Sequence, residues 1–128
     1  MSAFSRLAAA LLLAGASVLC GCTGGHATRS VQLGVAGNPD EGRHLIVAYS
    51  CGSCHTIPGI YTARGLVGPP LNFFGRRTMI AGELPNSPDN LIRWLKNPRA
   101  VEPGTAMPNL GLSQQQAQDI AAYLYTLQ

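Results

Sequence analysis

The chain has 128 residues, 46% of them hydrophobic and 12% charged, with nine basic side chains against six acidic ones and a formal net charge of +3. That length accommodates one hydrophobic core and leaves no room for a second. The positive excess is too small to argue for a nucleic-acid partner, whose phosphates demand a clustered basic surface.

Residues 1–22 carry a single charge, Arg6, followed by the uncharged run "LAAALLLAGASVL" from Leu7 to Leu19 and then "CGC". This is the layout of an export signal. The run falls short of the roughly 18 consecutive apolar residues expected of a membrane span. Its ending, "LCGC", resembles the lipobox of bacterial lipoproteins, which implies that Cys22 becomes the lipidated first residue. Cys20 is the weaker choice, because Leu19 would then stand immediately before the cut, where a small residue is expected. Residues 1–21 are therefore expected to be a lipoprotein signal peptide. Residues 22–37, "CTGGHATRSVQLGVAG", are rich in small and polar residues without periodicity and read as a flexible tether, with His26 a solvated part of it.

The folded domain is expected over residues 38–128. Asn38 is a good N-cap, Pro39 suits the first helical position, and Asp40 and Glu41 favour the positive end of the helix dipole. Gly42, Leu45, Ile46 and Tyr49 then fall on one stripe, and this helix should deliver Cys51 at its end, with His44 pointing to solvent. A second helix is signalled by "SPDNLIRWLKNP": Ser87 caps it, Pro88 opens it, Leu91, Ile92 and Leu95 form its apolar face, and Pro98 stops it. A third is "SQQQAQDIAAYLYTLQ", in which Ser113 and Gln116 form a capping box and Ala117, Ile120, Ala121, Leu124 and Leu127 form a stripe. No segment alternates with period two, so the expected fold class is all-α.

With Cys20 removed and Cys22 lipidated, the folded domain keeps only the cysteines of "YSCGSCHTIP", Cys51 and Cys54, with His55 directly behind them. A zinc site of this type needs a second pair of ligands, and only His44 remains to offer one. A thioredoxin-like dithiol needs a βαβ setting, which is missing. C-x-x-C-H is the attachment pattern for c-type haem. Two thiols at this spacing can form thioethers to two vinyl groups while the adjacent imidazole turns toward the iron. Covalent attachment also suits an exported carrier, which then cannot lose its cofactor by dissociation.

From this motif onward the chain resembles class I, single-haem cytochromes c, over about residues 38 to 127. "GPPLNFFGRRT" is similar to the family's segment behind the haem motif, and "WLKNPRAVEPGTAMP" to the segment that ends in its methionine ligand. The resemblance implies one covalent haem c with His55 and Met107 as axial ligands, a pairing of imidazole and soft thioether that raises the reduction potential. It implies that the Pro69 carbonyl accepts the His55 ring proton, that Leu71 packs on the haem, and that Arg76 and Thr105 serve the propionates. Trp94 takes the place of the family's usual tyrosine near the methionine sulfur. The family's propionate-binding tryptophan, expected near Asn86, is absent. Met79, in "RRTMIAG", lacks the preceding Pro-Gly-Thr turn and reads as core filler. The terminal helices of the family cross at a small residue and an aromatic one, roles open to Gly42 and Tyr123.

The expected function is single-electron transfer, not enzymatic catalysis: a haem protein held by lipid at a bacterial membrane and facing the periplasm, passing electrons between respiratory partners, to or within a terminal oxidase or dehydrogenase complex. Neither a small-molecule substrate nor nucleic acid enters this reading, and no catalytic set of side chains is legible. Arg64, Arg76, Arg77, Arg93, Lys96 and Arg99 fall in segments expected around the haem and suggest a weakly positive docking face. The rival reading is a haem enzyme or gas sensor with an open sixth position, against which Met107 speaks. A fixed subunit of a larger oxidoreductase and a mobile carrier would share the same domain.

Overall fold

A computed structural model describes residues 34–128, so the expected signal peptide, lipid-bearing Cys22 and most of the tether lie outside the described residues. Helix α1 spans Pro39–Ala48 and ends in a 3-10 turn at Cys51–Ser53, and a second 3-10 turn covers Phe74–Arg76. Strands β1 (Met79–Ile80) and β2 (Leu84–Pro85) follow, then α2 (Pro88–Lys96), α3 (Pro98–Val101) and α4 (Gln114–Leu124). The strands form a two-residue antiparallel pair, Met79 opposite Pro85 and Ile80 opposite Leu84. Among the described residues the regular structure is thus helical apart from this hairpin and an isolated antiparallel bridge between Thr56 and Arg64, both too brief to announce themselves as an alternating run.

Each principal helix starts where local chemistry dictates. Asn38 Oδ1 accepts from the Asp40 and Glu41 amides at 3.0 and 3.3 Å. Ser87 Oγ accepts from the Asn90 amide at 3.4 Å. At α4 the capping box closes both ways: Gln116 N donates to Ser113 Oγ at 3.2 Å and Ser113 N to Gln116 Oε1 at 3.0 Å. Such caps contribute about 1 kcal/mol each. Helix α1 stops before Cys51 because Ser50 takes the left-handed conformation, φ 55°, and swings the chain into the turn that carries the cysteines.

α1 packs chiefly on α4, and α2 also leans on α4. The first contact is close because a Cβ on Gly42 would overlap the backbone carbonyl of Asp119. The crossing partner of Gly42 is therefore the Asp119–Ile120 backbone, while Tyr123, one turn on, sends its hydroxyl to the Pro58 carbonyl at 2.7 Å. Asp119 is itself buried, its Oδ1 accepting from the Asn38 amide at 2.7 Å and from Gln115 Nε2 at 2.9 Å. One carboxylate thus ties the start of α1 to α4. The folded part also begins earlier than residue 38: Val35 is 1% exposed and belongs to the core with Ile46, Leu91 and Ile120. A lone valine among small residues gives no periodic signal, so the tether's last four positions read as free.

Tyr125 stacks edge-on against Phe74, with ring centroids 5.8 Å apart, and donates its hydroxyl hydrogen to Asn86 Oδ1 at 2.7 Å. Burial pushes its pKa up to about 12 from 10.0. Burial also raises Tyr123, against an opposing pull from Arg43. Between the two pH values the unfolded chain releases a proton that the folded chain retains, so stability is full below pH 10 and falls as pH rises toward 12. Thermal melts followed by circular dichroism should show that decline, and Tyr125→Phe should make it shallower. An equally steep decline in the variant would remove Tyr125 as the cause.

Candidate functional site

The 3-10 turn at Cys51 is closed by one acceptor: the Cys51 carbonyl takes both the Cys54 and the His55 amides, at 3.2 and 3.0 Å. This folding back of the peptide puts both thiols and the imidazole on the wall of one cavity of about 670 Å³, inside the roughly 300–1,000 Å³ range of cofactor pockets. Neither cysteine forms a disulfide with another described residue. Burial raises the Cys51 pKa, its own backbone hydrogen bond opposes, and the neighbouring Cys54 adds to the rise.

His55 Nδ1 lies 2.8 Å from the Pro69 carbonyl. A carbonyl can only accept, so Nδ1 carries the proton and Nε2 is left with the lone pair a metal needs. The loop around Pro69 is tied to the haem-motif turn on both sides of the ring, Gly68 N to Cys54 O and Leu71 N to Thr56 O, each at 2.8 Å. Gly68 is required here because a Cβ would occupy the space of the imidazole itself.

The rest of the cavity wall comes from the three longer helices and the loops between them. Ile46 of α1 and its C-cap Tyr49, Leu91 and Trp94 of α2, and Ile120 and Leu124 of α4 line it, with Leu71, Thr105 and Met107 from the loops. The Met107 amide donates to Thr105 Oγ1 at 3.2 Å, and the Thr105 amide to the Glu102 carbonyl at 3.1 Å. Thr105 thus holds the methionine turn with its side-chain oxygen. Cys51, Cys54, His55, Pro69, Leu71, Trp94, Thr105 and Met107 are brought together on this one cavity.

Arg76 is not. It is exposed, its guanidinium 5.8 Å from the Phe73 ring centroid, and the half-buried Arg77 lines the cavity instead. Phe73 takes φ 55°, which turns the chain at the following 3-10 segment, so the second arginine of the pair faces inward. Arg93 and Lys96 also leave the haem side, lining a separate groove with Gln114 and Gln118 of α4. Met79 shares the cavity wall with Met107 but is 42% exposed on β1. Asn86 carries no motif in the sequence, yet its Nδ2 donates to the Phe74 and Arg77 carbonyls, both at 3.0 Å.

No group of three or more His, Cys, Asp or Glu able to hold a bare metal ion occurs among the described residues. The donors present on this largely apolar cavity are two thiols, one imidazole with a free Nε2 and two thioethers, Met107 and the more exposed Met79, and they include the set a covalent haem requires. Fold and cavity together define a small helical domain built around a covalently held haem. The family model for cytochrome c matches residues 39–128, and the chain belongs to that family.

Among curated relatives, the chain is 35% identical over 89 residues to cytochrome c oxidase subunit 2 of Alkalihalophilus pseudofirmus, covering 69% of this chain and 25% of that protein. It is 34% identical over 82 residues to cytochrome c oxidase subunit 2 of Bacillus sp. strain PS3, covering 61% and 23%. The chain therefore spans about a quarter of the length of these relatives. Membership of the family implies haem c bound covalently through Cys51 and Cys54 and a role in electron transfer.

Proposed function

We propose that this protein is a periplasmic, lipid-anchored, single-haem electron carrier that passes electrons to or within a terminal oxidase of a bacterial respiratory chain. The observation that carries the proposal is the convergence of both thiols, His55 Nε2 and the Met107 side chain on one cavity. The similarity to cytochrome c oxidase subunit 2 supports an oxidase as partner. The bound haem supplies reversible one-electron chemistry between ferric and ferrous iron. The chain's own work is to hold: the Pro69 carbonyl fixes the His55 ring, Thr105 fixes the turn before Met107, and apolar side chains keep water from the cofactor. His55 and Met107 would hold the iron between them, so that little would need to rearrange when the charge changes.

The partner face follows from charge and exposure. From Gly42 to Gly82 the sequence has Arg43, Arg64, Arg76 and Arg77 and no carboxylate. The exposed apolar side chains Leu66, Val67 and Phe73 lie in the same stretch, Val67 on the cavity wall. An apolar patch with arginines beside it suits transient docking to an acidic partner surface. The reduced protein mixed with oxygenated native membranes should be reoxidised, and cyanide at oxidase-blocking concentration should stop it. Reoxidation that ignores cyanide would exclude a haem-copper oxidase as the acceptor.

No helix among the described residues is long and apolar enough to cross a membrane. Membrane attachment is assigned to lipid on Cys22, from the "LCGC" that follows the short apolar run. Cys22→Ser should release the haem domain in soluble form when membranes are washed and fractionated. Retention of that variant would make a partner complex the anchor.

A further inference from the structure

Pro69 and Pro70 are consecutive, and their carbonyls have different partners. The first receives the ring proton of His55 at 2.8 Å. The second receives Nη2 of Arg77, which also donates to the Asn72 carbonyl at 3.3 Å. Neither proline has an N–H, so no backbone donor of their own can orient the peptide units between Gly68 and Leu71. Their orientation rests on the flanking amides and on whatever grips their carbonyls.

Arg77 is well placed to grip. Its guanidinium lies 5.6 Å from the Phe74 ring centroid, and its own carbonyl is held by Asn86 Nδ2 at 3.0 Å. Asn86 is in turn held by the Tyr125 hydroxyl at 2.7 Å. Both bonds leave one nitrogen, Nη2, whose two hydrogens are fixed in the guanidinium plane, a fixed geometry that a freely rotating lysine ammonium lacks. Arg76, next in sequence, touches neither carbonyl.

We infer that Arg77 is a positioning residue for His55: by clamping the Pro70 and Asn72 carbonyls it holds the preceding carbonyl, that of Pro69, where it accepts the imidazole proton. This rests on His55 being an axial ligand, as proposed above. A firm Nδ1–H bond makes the imidazole a more basic donor and favours ferric iron, so the clamp lowers the reduction potential.

The test uses the haem-loaded protein and the variants Arg77→Lys, Arg77→Gln and Arg76→Gln, with two readouts: solvent exchange of the His55 Nδ1 proton by NMR in the ferrous state, and the reduction potential. Arg77→Lys keeps the charge and loses the planar guanidinium, so any change it causes is positional. The exchange should quicken about tenfold in Arg77→Lys and in Arg77→Gln, the factor expected for losing one to two hydrogen bonds. The potential should rise in Arg77→Lys, and Arg76→Gln should alter neither readout. If Arg77→Gln does not fold, Arg77→Lys still decides the matter. Unchanged exchange and potential in Arg77→Lys would overturn the inference while leaving His55 as ligand. A wild-type His55 ring proton without the shift of a haem-bound imidazole would instead overturn the axial assignment, and the inference with it.

Discussion

Replacing Met107 by Ala is expected to lower the reduction potential by a substantial part of the roughly 0.8 V range that axial ligands span. The soft thioether favours ferrous iron, and its loss leaves a harder ligand or none. The ferric sulfur-to-iron absorption band should vanish, and carbon monoxide should bind the ferrous protein. Met79 also lines the cavity, so Met79→Ala is the necessary control. Its 42% exposure and its place in the β1–β2 pair fit a wall residue, and that variant should keep the band and the potential. If Met79→Ala abolishes the band and Met107→Ala does not, the sixth ligand has been assigned to the wrong methionine. Ready carbon monoxide binding by the unmutated protein at neutral pH would favour the rival reading of an open haem site.

Gly42→Val is expected to have the largest effect on stability. The α1 backbone runs so close to Asp119 and Ile120 that even one added carbon overlaps a carbonyl group, a rigid obstacle that no rotamer change relieves. The helices must separate, which loosens Ile46 and Ile120, each 1% exposed, and strains the Asn38 to Asp119 hydrogen bond. Overpacking of this kind costs about 3 kcal/mol. For a domain of this size that is a fall of roughly 15 °C in Tm. Differential scanning calorimetry of the loaded protein measures it directly, with Gly82→Ala as a comparison of another kind: there a Cβ meets open space and only the positive φ of 79° opposes it. Equal stability of Gly42→Val and wild type would mean that α1 and α4 do not cross there.

The helix starts and the haem-motif residues were legible in the sequence because each rests on local chemistry. Asn38, Ser87 and Ser113 cap helices through atoms two or three residues away. The C-x-x-C-H spacing works within one turn. What could not be read depends on contacts across the chain. Which arginine of the pair faces the cavity is set by the turn at Phe73, and adjacent like residues carry no pattern that distinguishes them. Asp119 lies outside the apolar stripe of α4, and its partner at the start of α1 is 81 residues away. Val35 joins the core from what composition alone marks as tether. The β1–β2 pair is two residues long on each side, shorter than any periodic signal.

The account depends on haem attached through Cys51 and Cys54, and intact-mass spectrometry of the denatured, purified protein tests this most directly. The predicted result is a chain heavier by one haem, with the haem remaining on the polypeptide after acid-acetone extraction and in a denaturing gel, and lost from the double variant Cys51→Ser, Cys54→Ser. Release of the haem from the unmutated protein by acid acetone, leaving a chain of unmodified mass, would contradict it.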